Sequence, residues 1–327
     1  MVDEMSTKRQ RCIACHEHSG VECFEATERM LGTREVFSYW ECEHCGCVQI
    51  EEIPGDLERH YPAEYFSFKP HHRLAQSRIR AWVDPSRLRA ELGDSTLLGR
   101  VTNAVMKPLN YASWCRVTGL DQRARVLDVG CGAGKMVVRM RLAGFARCVG
   151  VDPYLSHTIQ YANGAQVLRE SLIDFAKRTD ERFDLVMFHH SLEHLPDPDP
   201  VLSAAVELLD DNGWILLRVP VAGCYAWRHY RDRWYSLDAP RHLFLPSARA
   251  LDAIATRAGL RVQHMECDST KWSLMASELY ARDICVNAPA VRRDIFSVDE
   301  DRAYQRRSAE LNEQGDGDQA AFFLNRI

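Results

Sequence analysis

The 327-residue sequence predicts an α/β protein: a seven-stranded, largely parallel sheet flanked by helices and preceded by a small cysteine module. Three observations carry that expectation. Beyond residue 120, short apolar runs alternate with helix-spaced segments; the first run, Arg125–Val129, opens into a turn holding Gly130, Gly132 and Gly134; and two C-x-x-C pairs, Cys12/Cys15 and Cys42/Cys45, stand near the N-terminus. The chain divides accordingly into a cysteine module over 1–60, a helical connector over 61–120 and the α/β core over 121–327.

Within the core, Arg125–Val129 alternates too little for a half-exposed strand and reads as a buried parallel one. Lys135–Leu142 has helical spacing and stops before Gly144. A second buried strand over 148–152 ends in Asp152. The expected order continues as a helix over 155–162, a strand over 165–168, a helix over 171–177 and a strand over 183–188. The run Asp197-Pro198-Asp199-Pro200 turns the chain into a helix over 201–209, followed by a strand over 214–219. Ser247 caps a helix that Gly259 ends, a strand follows over 260–265, and 319–324 supplies the seventh.

At 46% hydrophobic residues, the chain can bury a core of this size. No apolar run reaches bilayer length, and Asp3 and Glu4 replace the basic start of a signal peptide, so no membrane insertion is expected. Twelve cysteines without an export signal point to reduced thiols or metal ligands and to the cytoplasm. Charge is uneven. Residues 1–60 hold six Lys/Arg against thirteen Asp/Glu, whereas 71–120 hold eight against three.

The glycines after Asp128 let the backbone approach a ligand, and Asp152 stands where a carboxylate reaches a ribose diol in strand-helix-strand nucleoside sites. Two other glycine loops are excluded. A dinucleotide fingerprint needs glycine at Lys135, and a P-loop needs glycine at Val129 and a hydroxyl at Met136. The acid-x-Gly-x-Gly-x-Gly stretch and the acid ending the second strand resemble those of the class I S-adenosylmethionine-dependent methyltransferases. That resemblance implies their Rossmann-like seven-stranded sheet and their cofactor, with Asp128, Gly130, Gly132, Gly134, Asp152 and His189 on the cofactor side. Leu172 and Phe175 either flank the adenine or belong to the core.

Two C-x-x-C knuckles bring four thiolates to one tetrahedral zinc, and four sulfur ligands leave no open position, so Cys12, Cys15, Cys42 and Cys45 are expected to hold a structural ion. The acidic charge of this module disfavours nucleic acid. Followed by Tyr61-Pro62-Ala63-Glu64-Tyr65-Phe66 and the core, it resembles the modules of zinc-containing bacterial sugar C- or O-methyltransferases, which implies a sugar or nucleotide-sugar acceptor. The aromatic junction either borders the acceptor cleft or plugs the module onto the core. The runner-up is an RNA methyltransferase gripping its substrate with the zinc module and the basic connector. A scaffold that has lost catalysis is disfavoured, since both cofactor acids and the histidines are present.

His189-His190-Ser191-Leu192-Glu193-His194 falls at the carboxyl end of the fourth strand, where open α/β sheets place ligands. Methyl transfer needs an aligned acceptor and the removal of one proton, a task that suits histidine near neutral pH. Leu192-Glu193-His194-Leu195-Pro196-Asp197-Pro198 resembles a signature of ubiquinone-type O-methyltransferases, some of which hold a divalent metal with the Glu-His pair and a carboxylate three residues earlier. Here His190 takes that place, and the cluster is expected to work without a metal. Beyond the fifth strand, Trp227, Arg228, Arg231, Arg233, Trp234 and Tyr235 precede Asp238-Ala239-Pro240-Arg241-His242-Leu243, an element resembling one beside the acceptor site in this methyltransferase branch. These residues suit an anionic, ring-containing substrate, or else form a lid with Arg241 paired to Asp238 and the aromatics inward. His242 or His194 is the expected base; for a carbon acceptor, Arg241 or Tyr235 would donate to the oxyanion.

Overall fold

A computed structural model of the chain describes residues 9–20, 23–62, 66–94, 96–286 and 295–327. Five short strands come first: β1 (Arg9–Arg11), β2 (His18–Gly20), β3 (Cys23–Thr27), β4 (Val36–Glu41) and β5 (Val48–Ile50). The connector carries α1 (His72–Ala75), α2 (Arg78–Glu91), α3 (Leu97–Val105) and α4 (Tyr111–Thr118). The core follows as β6 (Arg125–Val129), α5 (Lys135–Leu142), β7 (Arg147–Val151), β8 (Ile159–Gln160), β9 (Gln166–Leu168), α6 (Leu172–Arg178), β10 (Phe183–His189), α7 (Pro198–Glu207) and β11 (Leu209–Pro220). It closes with α8 (Tyr225–Tyr230), β12 (Phe244–Leu245), α9 (Ala248–Arg257), β13 (Leu260–Cys267), α10 (Lys271–Ala281), α11 (Val298–Glu313) and β14 (Gln319–Arg326). No helix among the described residues is long and apolar enough to cross a membrane.

The main sheet has the order β13-β14-β11-β10-β6-β7-β9-β8. Strands β11, β10, β6, β7 and β9 are parallel, while β14 is antiparallel to both β11 and β13. All seven expected strands are present. The eighth, β8, replaces the helix expected over 155–162, and the reason is tertiary. Asn163-Gly164 turns the chain, with Gly164 at φ +81°, so that Ile159 pairs with Val167, while Tyr161 donates its hydroxyl to Ala133 O at 2.6 Å. Helix α7 starts earlier than expected because Asp197 caps it, accepting from Asp199 N, and Pro198 takes the first helical position, where its missing N–H costs nothing. Ser247 caps α9 as expected.

Apolar side chains of β6, β7, β10, β11 and β14 fill both faces of the sheet, Leu127, Phe188 and Leu217 on one and Val126, Met187 and Leu216 on the other. A burial pattern this continuous is why the parallel strands read so clearly in the sequence. The N-terminal module is joined to this core through a shared four-stranded sheet of order β12-β5-β4-β3. Core strand β12 lies antiparallel on β5, with Phe244 opposite Gln49.

Candidate active site

Strand β6 carries Asp128 and the glycine loop to the carboxyl edge of the sheet. Gly130 and Gly132 have φ of +67° and +54°. A Cβ on Gly130 would stand 2.5 Å from Cβ of Ser191, and one on Gly132 would strike the carbonyl oxygen of Ser67. The loop needs glycine there for backbone reasons and for close packing. Protein thus fills part of the space first credited to a ligand: Ala133 N donates to Ser67 O at 2.7 Å, and Ser191 Oγ donates to Val129 O at 2.6 Å. Gly134, at φ +74°, precedes α5 and packs on Val167.

Asp128 is 2% exposed, and its Oδ1 has no hydrogen-bond partner among the described residues. Burial, reinforced by the neighbouring Asp152 charge, pushes its carboxyl well above the usual range. An orphaned buried acid beside a glycine loop is the feature a donor-bearing ligand resolves. Asp152 accepts from Gly132 N at 2.8 Å with one oxygen and from Tyr154 N at 2.9 Å with the other, so it braces the loop that it was expected to complement. Leu172 is 4% exposed and lies with Phe175 in the main core cluster. His189 ends β10 and sets its ring 5.7 Å from Trp114 of α4.

The next residue, His190, takes φ +56° and turns the chain back over the strand ends. Its Nε2 meets the guanidinium of Arg218, which also binds Asp268 at 2.5 Å and Gln319 at 2.9 Å. Its Nδ1 lies 3.4 Å from Oε1 of Glu193. Glu193 is 0% exposed, and neither of its oxygens receives a hydrogen bond among the described residues. His194 and His242 face each other with ring centroids 4.8 Å apart. His194 Nδ1 is 2.8 Å from Arg241 O, and His242 Nδ1 is 2.7 Å from Ser236 O. A carbonyl oxygen only accepts, so the Nδ1 of each ring carries a proton. Burial, then the nearby His242, pushes His194 down to about 4, keeping it neutral.

The lid alternative holds for the segment after β11. Arg241 is buried, donating to Glu28 at 3.1 Å and to Asp238 through Nε at 3.0 Å, the internal pairing that the lid alternative describes. Trp227 and Trp234 point inward and donate to Glu41 at 3.2 Å and Asp318 at 2.9 Å. Arg228 pairs with Asp316, and Tyr235 packs its ring against Tyr280 of α10 at 5.8 Å. Removing one member of a buried ion pair typically costs about 3–5 kcal/mol. Arg241→Met is therefore expected to lower unfolding free energy by that order, read from denaturant midpoints, and an unchanged midpoint would refute the pairing.

The four expected zinc ligands come together. Cys12 Sγ is 3.6 Å from Cys45 Sγ, and Cys15 Sγ is 3.7 Å from Cys42 Sγ, against edges of about 3.8 Å for a tetrahedron with Zn–S near 2.3 Å. Gln49 Nε2 donates to Cys12 Sγ at 3.3 Å. The module and the start of the connector reach the His194–His242 edge directly. Ile50 N donates to Leu243 O at 2.9 Å, Tyr39 OH to His242 O at 2.8 Å, and Tyr61 OH lies 3.0 Å from His194 Nδ1. Tyr39, Glu28, Ser67, Tyr161 and Arg218 escaped the sequence analysis, since each works through a partner remote in the chain. Of them only Arg218, a charge inside an apolar strand, carried a local signal.

A family model described as a methyltransferase domain matches residues 99–265. Over 125 residues the chain is 34% identical to the ubiquinone biosynthesis O-methyltransferase of Thiobacillus denitrificans, covering 35% of this chain and 53% of that one. It is 33% identical over 121 residues to the protein of that name from Pseudomonas putida strain GB-1, covering 33% and 52%. The chain thus spans about half the length of the curated relatives it matches. A crystal structure of a SAM dependent methyltransferase from Archaeoglobus fulgidus aligns with 66% of this chain and 92% of that one at 20% identity, with a TM-score of 0.41.

Proposed function

The chain belongs to the methyltransferase-domain family, and from that premise we propose that it transfers a methyl group from S-adenosylmethionine to an oxygen of a small-molecule acceptor. The observation that carries this reading is the buried Asp128 carboxylate, with one oxygen unsatisfied, at the mouth of the glycine loop that Asp152 braces. When bound, the cofactor supplies an electrophilic methyl on a sulfonium. Asp128 offers an acceptor to its donor groups, while Asp152 holds the loop and offers its remaining lone pairs to the ribose hydroxyls. An acceptor hydroxyl at the carboxyl edge faces Glu193, His194 and His242. Its proton is lost at that cluster as the oxygen–carbon bond forms and the carbon–sulfur bond breaks.

The oxygen acceptor is favoured by the relatives named as O-methyltransferases. A sugar hydroxyl is the narrower form of the proposal and rests on the cysteine module. We assign that module one structural zinc on Cys12, Cys15, Cys42 and Cys45, whose spacing suits it. The RNA alternative loses ground because three of the eight connector cations are paired internally: Arg80 and Arg87 with Asp84, and Arg116 with Glu91.

S-adenosylhomocysteine is expected to raise the melting temperature, and Asp152→Ala to shrink that shift, since the variant loses both the loop brace and a ribose acceptor. Equal shifts in both proteins would count against the cofactor site. The deciding measurement is methyl transfer from labelled cofactor to a panel of nucleotide sugars, glycans and catechols beside total RNA. Labelling of a small molecule is the expected result; labelling of RNA alone would overturn it.

A further inference from the structure

We propose that the exposed face of α2 and α3 is a docking surface for an anionic lipid bilayer, on which the chain adsorbs without spanning. Helix α3 reverses the arrangement expected of a helix in water. Its side toward α2 is polar: Thr96 donates to Ser86 O at 3.0 Å, Asn103 accepts from Arg87 Nε at 2.9 Å and donates to Arg87 O at 3.1 Å, and a Cβ on Gly99 would strike Ser86 O. Its opposite side carries Leu97, Val101 and Val105, spaced one turn apart along one stripe. Together with Ile79 and Trp82 of α2, these side chains are between 57% and 80% exposed. A surface helix ordinarily buries the apolar stripe and shows the polar one, so this face is built for something other than water.

Charge selects the occupant. Arg78 lies one turn before Trp82 and Arg89 two turns after it, on the same side of α2, while Arg100 stands beside Val101 and Lys107 follows Val105. All four are exposed, and none has a carboxylate partner among the described residues. The connector's acids do not offset them, since Asp84 is spent on Arg80 and Arg87 and Glu91 on Arg116. Aliphatic side chains and an indole within a basic fringe match the boundary of an anionic membrane, where acyl chains meet phosphate headgroups. A second copy of the chain is disfavoured: a two-fold contact through this face sets the two basic fringes against each other, and five apolar side chains fall short of the roughly 20–30 residues a side of a stable interface. Nucleic acid matches the cations but leaves the apolar stripe in water. No described helix is long and apolar enough to cross a membrane, so the contact is peripheral.

Co-sedimentation of the full chain with vesicles of phosphatidylethanolamine and phosphatidylglycerol tests the surface, with phosphatidylcholine vesicles as the neutral control, and needs no turnover. The expected result is binding to the anionic vesicles alone, falling as salt is added. Val101→Ser with Val105→Ser should weaken it at least about tenfold through the lost apolar contact, and Arg78→Gln with Arg100→Gln by a similar factor through the lost charge. Brominated lipid should quench the fluorescence of the wild-type chain more than that of Trp82→Phe. All these side chains are exposed, and a cooperative melt close to that of the wild type checks that each variant is folded. No binding to anionic vesicles overturns the proposal, as does binding that either pair of substitutions leaves unchanged. A wild-type dimer that forms without vesicles and that the serine pair dissociates would assign the face to a second copy and overturn it as well.

Discussion

His242→Ala is expected to lower kcat for methyl transfer by about 10²-fold or more while leaving S-adenosylhomocysteine binding unchanged. The residue sits at the convergence of three chemistries. Its Nε2 lies 3.9 Å from Glu193 Oε1, its Nδ1 proton is fixed on Ser236 O, and its own carbonyl is held by Tyr39 OH. It lies apart from the glycine loop, so the cofactor site should survive its removal. Steady-state kinetics with a saturating acceptor beside a thermal-shift titration separate the two effects. Wild-type kcat in the variant would remove His242 from the acceptor site.

Loss of zinc from the N-terminal module should reach further than its position in the chain suggests. Cys42→Ser is expected to abolish zinc binding, to expose the amides of β5 to exchange, and to lower methyl transfer by about 10²-fold through displacement of the acceptor edge. The route is explicit: the knuckle at Cys42 and Cys45 leads into β5, Ile50 N bonds Leu243 O, and β12 follows directly after His242. Glu28 of the same module holds Arg241, and Arg257 of α9 returns the contact by donating to Ile13 O and Ala14 O behind the other knuckle. Metal analysis, amide exchange at Val48–Ile50 and kinetics are the measurements. Full activity after zinc loss would show that the module does not position the edge.

His194 and Arg241 illustrate what a linear pattern conveys. His194 was legible because it follows the fourth strand, and a strand's carboxyl end is a position that periodicity and chain order define. Arg241 was visible too, but its work was not. A guanidinium next to aromatics suits an external anion as well as an internal one, and the choice was made by Glu28, which lies in another module. The helix expected over 155–162 failed for a related reason: its spacing is compatible with helix, but Tyr161 bonds Ala133 O and Ile159 pairs with Val167, partners the local pattern does not show.

By itself the sequence determined the succession of seven strands along the chain, the glycine loop between Asp128 and α5, the acid ending β7 and the cysteine spacing. These are local features, in which burial period, backbone freedom and ligand spacing are written into neighbouring residues. Only the tertiary structure decided that Glu193, His194 and His242 meet, that Asp152 braces the loop, and that the cysteine module shares a sheet with the segment after His242. The physical reason is that a buried charge or lone pair takes its meaning from its partner. Here the partners come from segments far apart in the chain, brought together by the pairing of β5 with β12 and by the turn at His190.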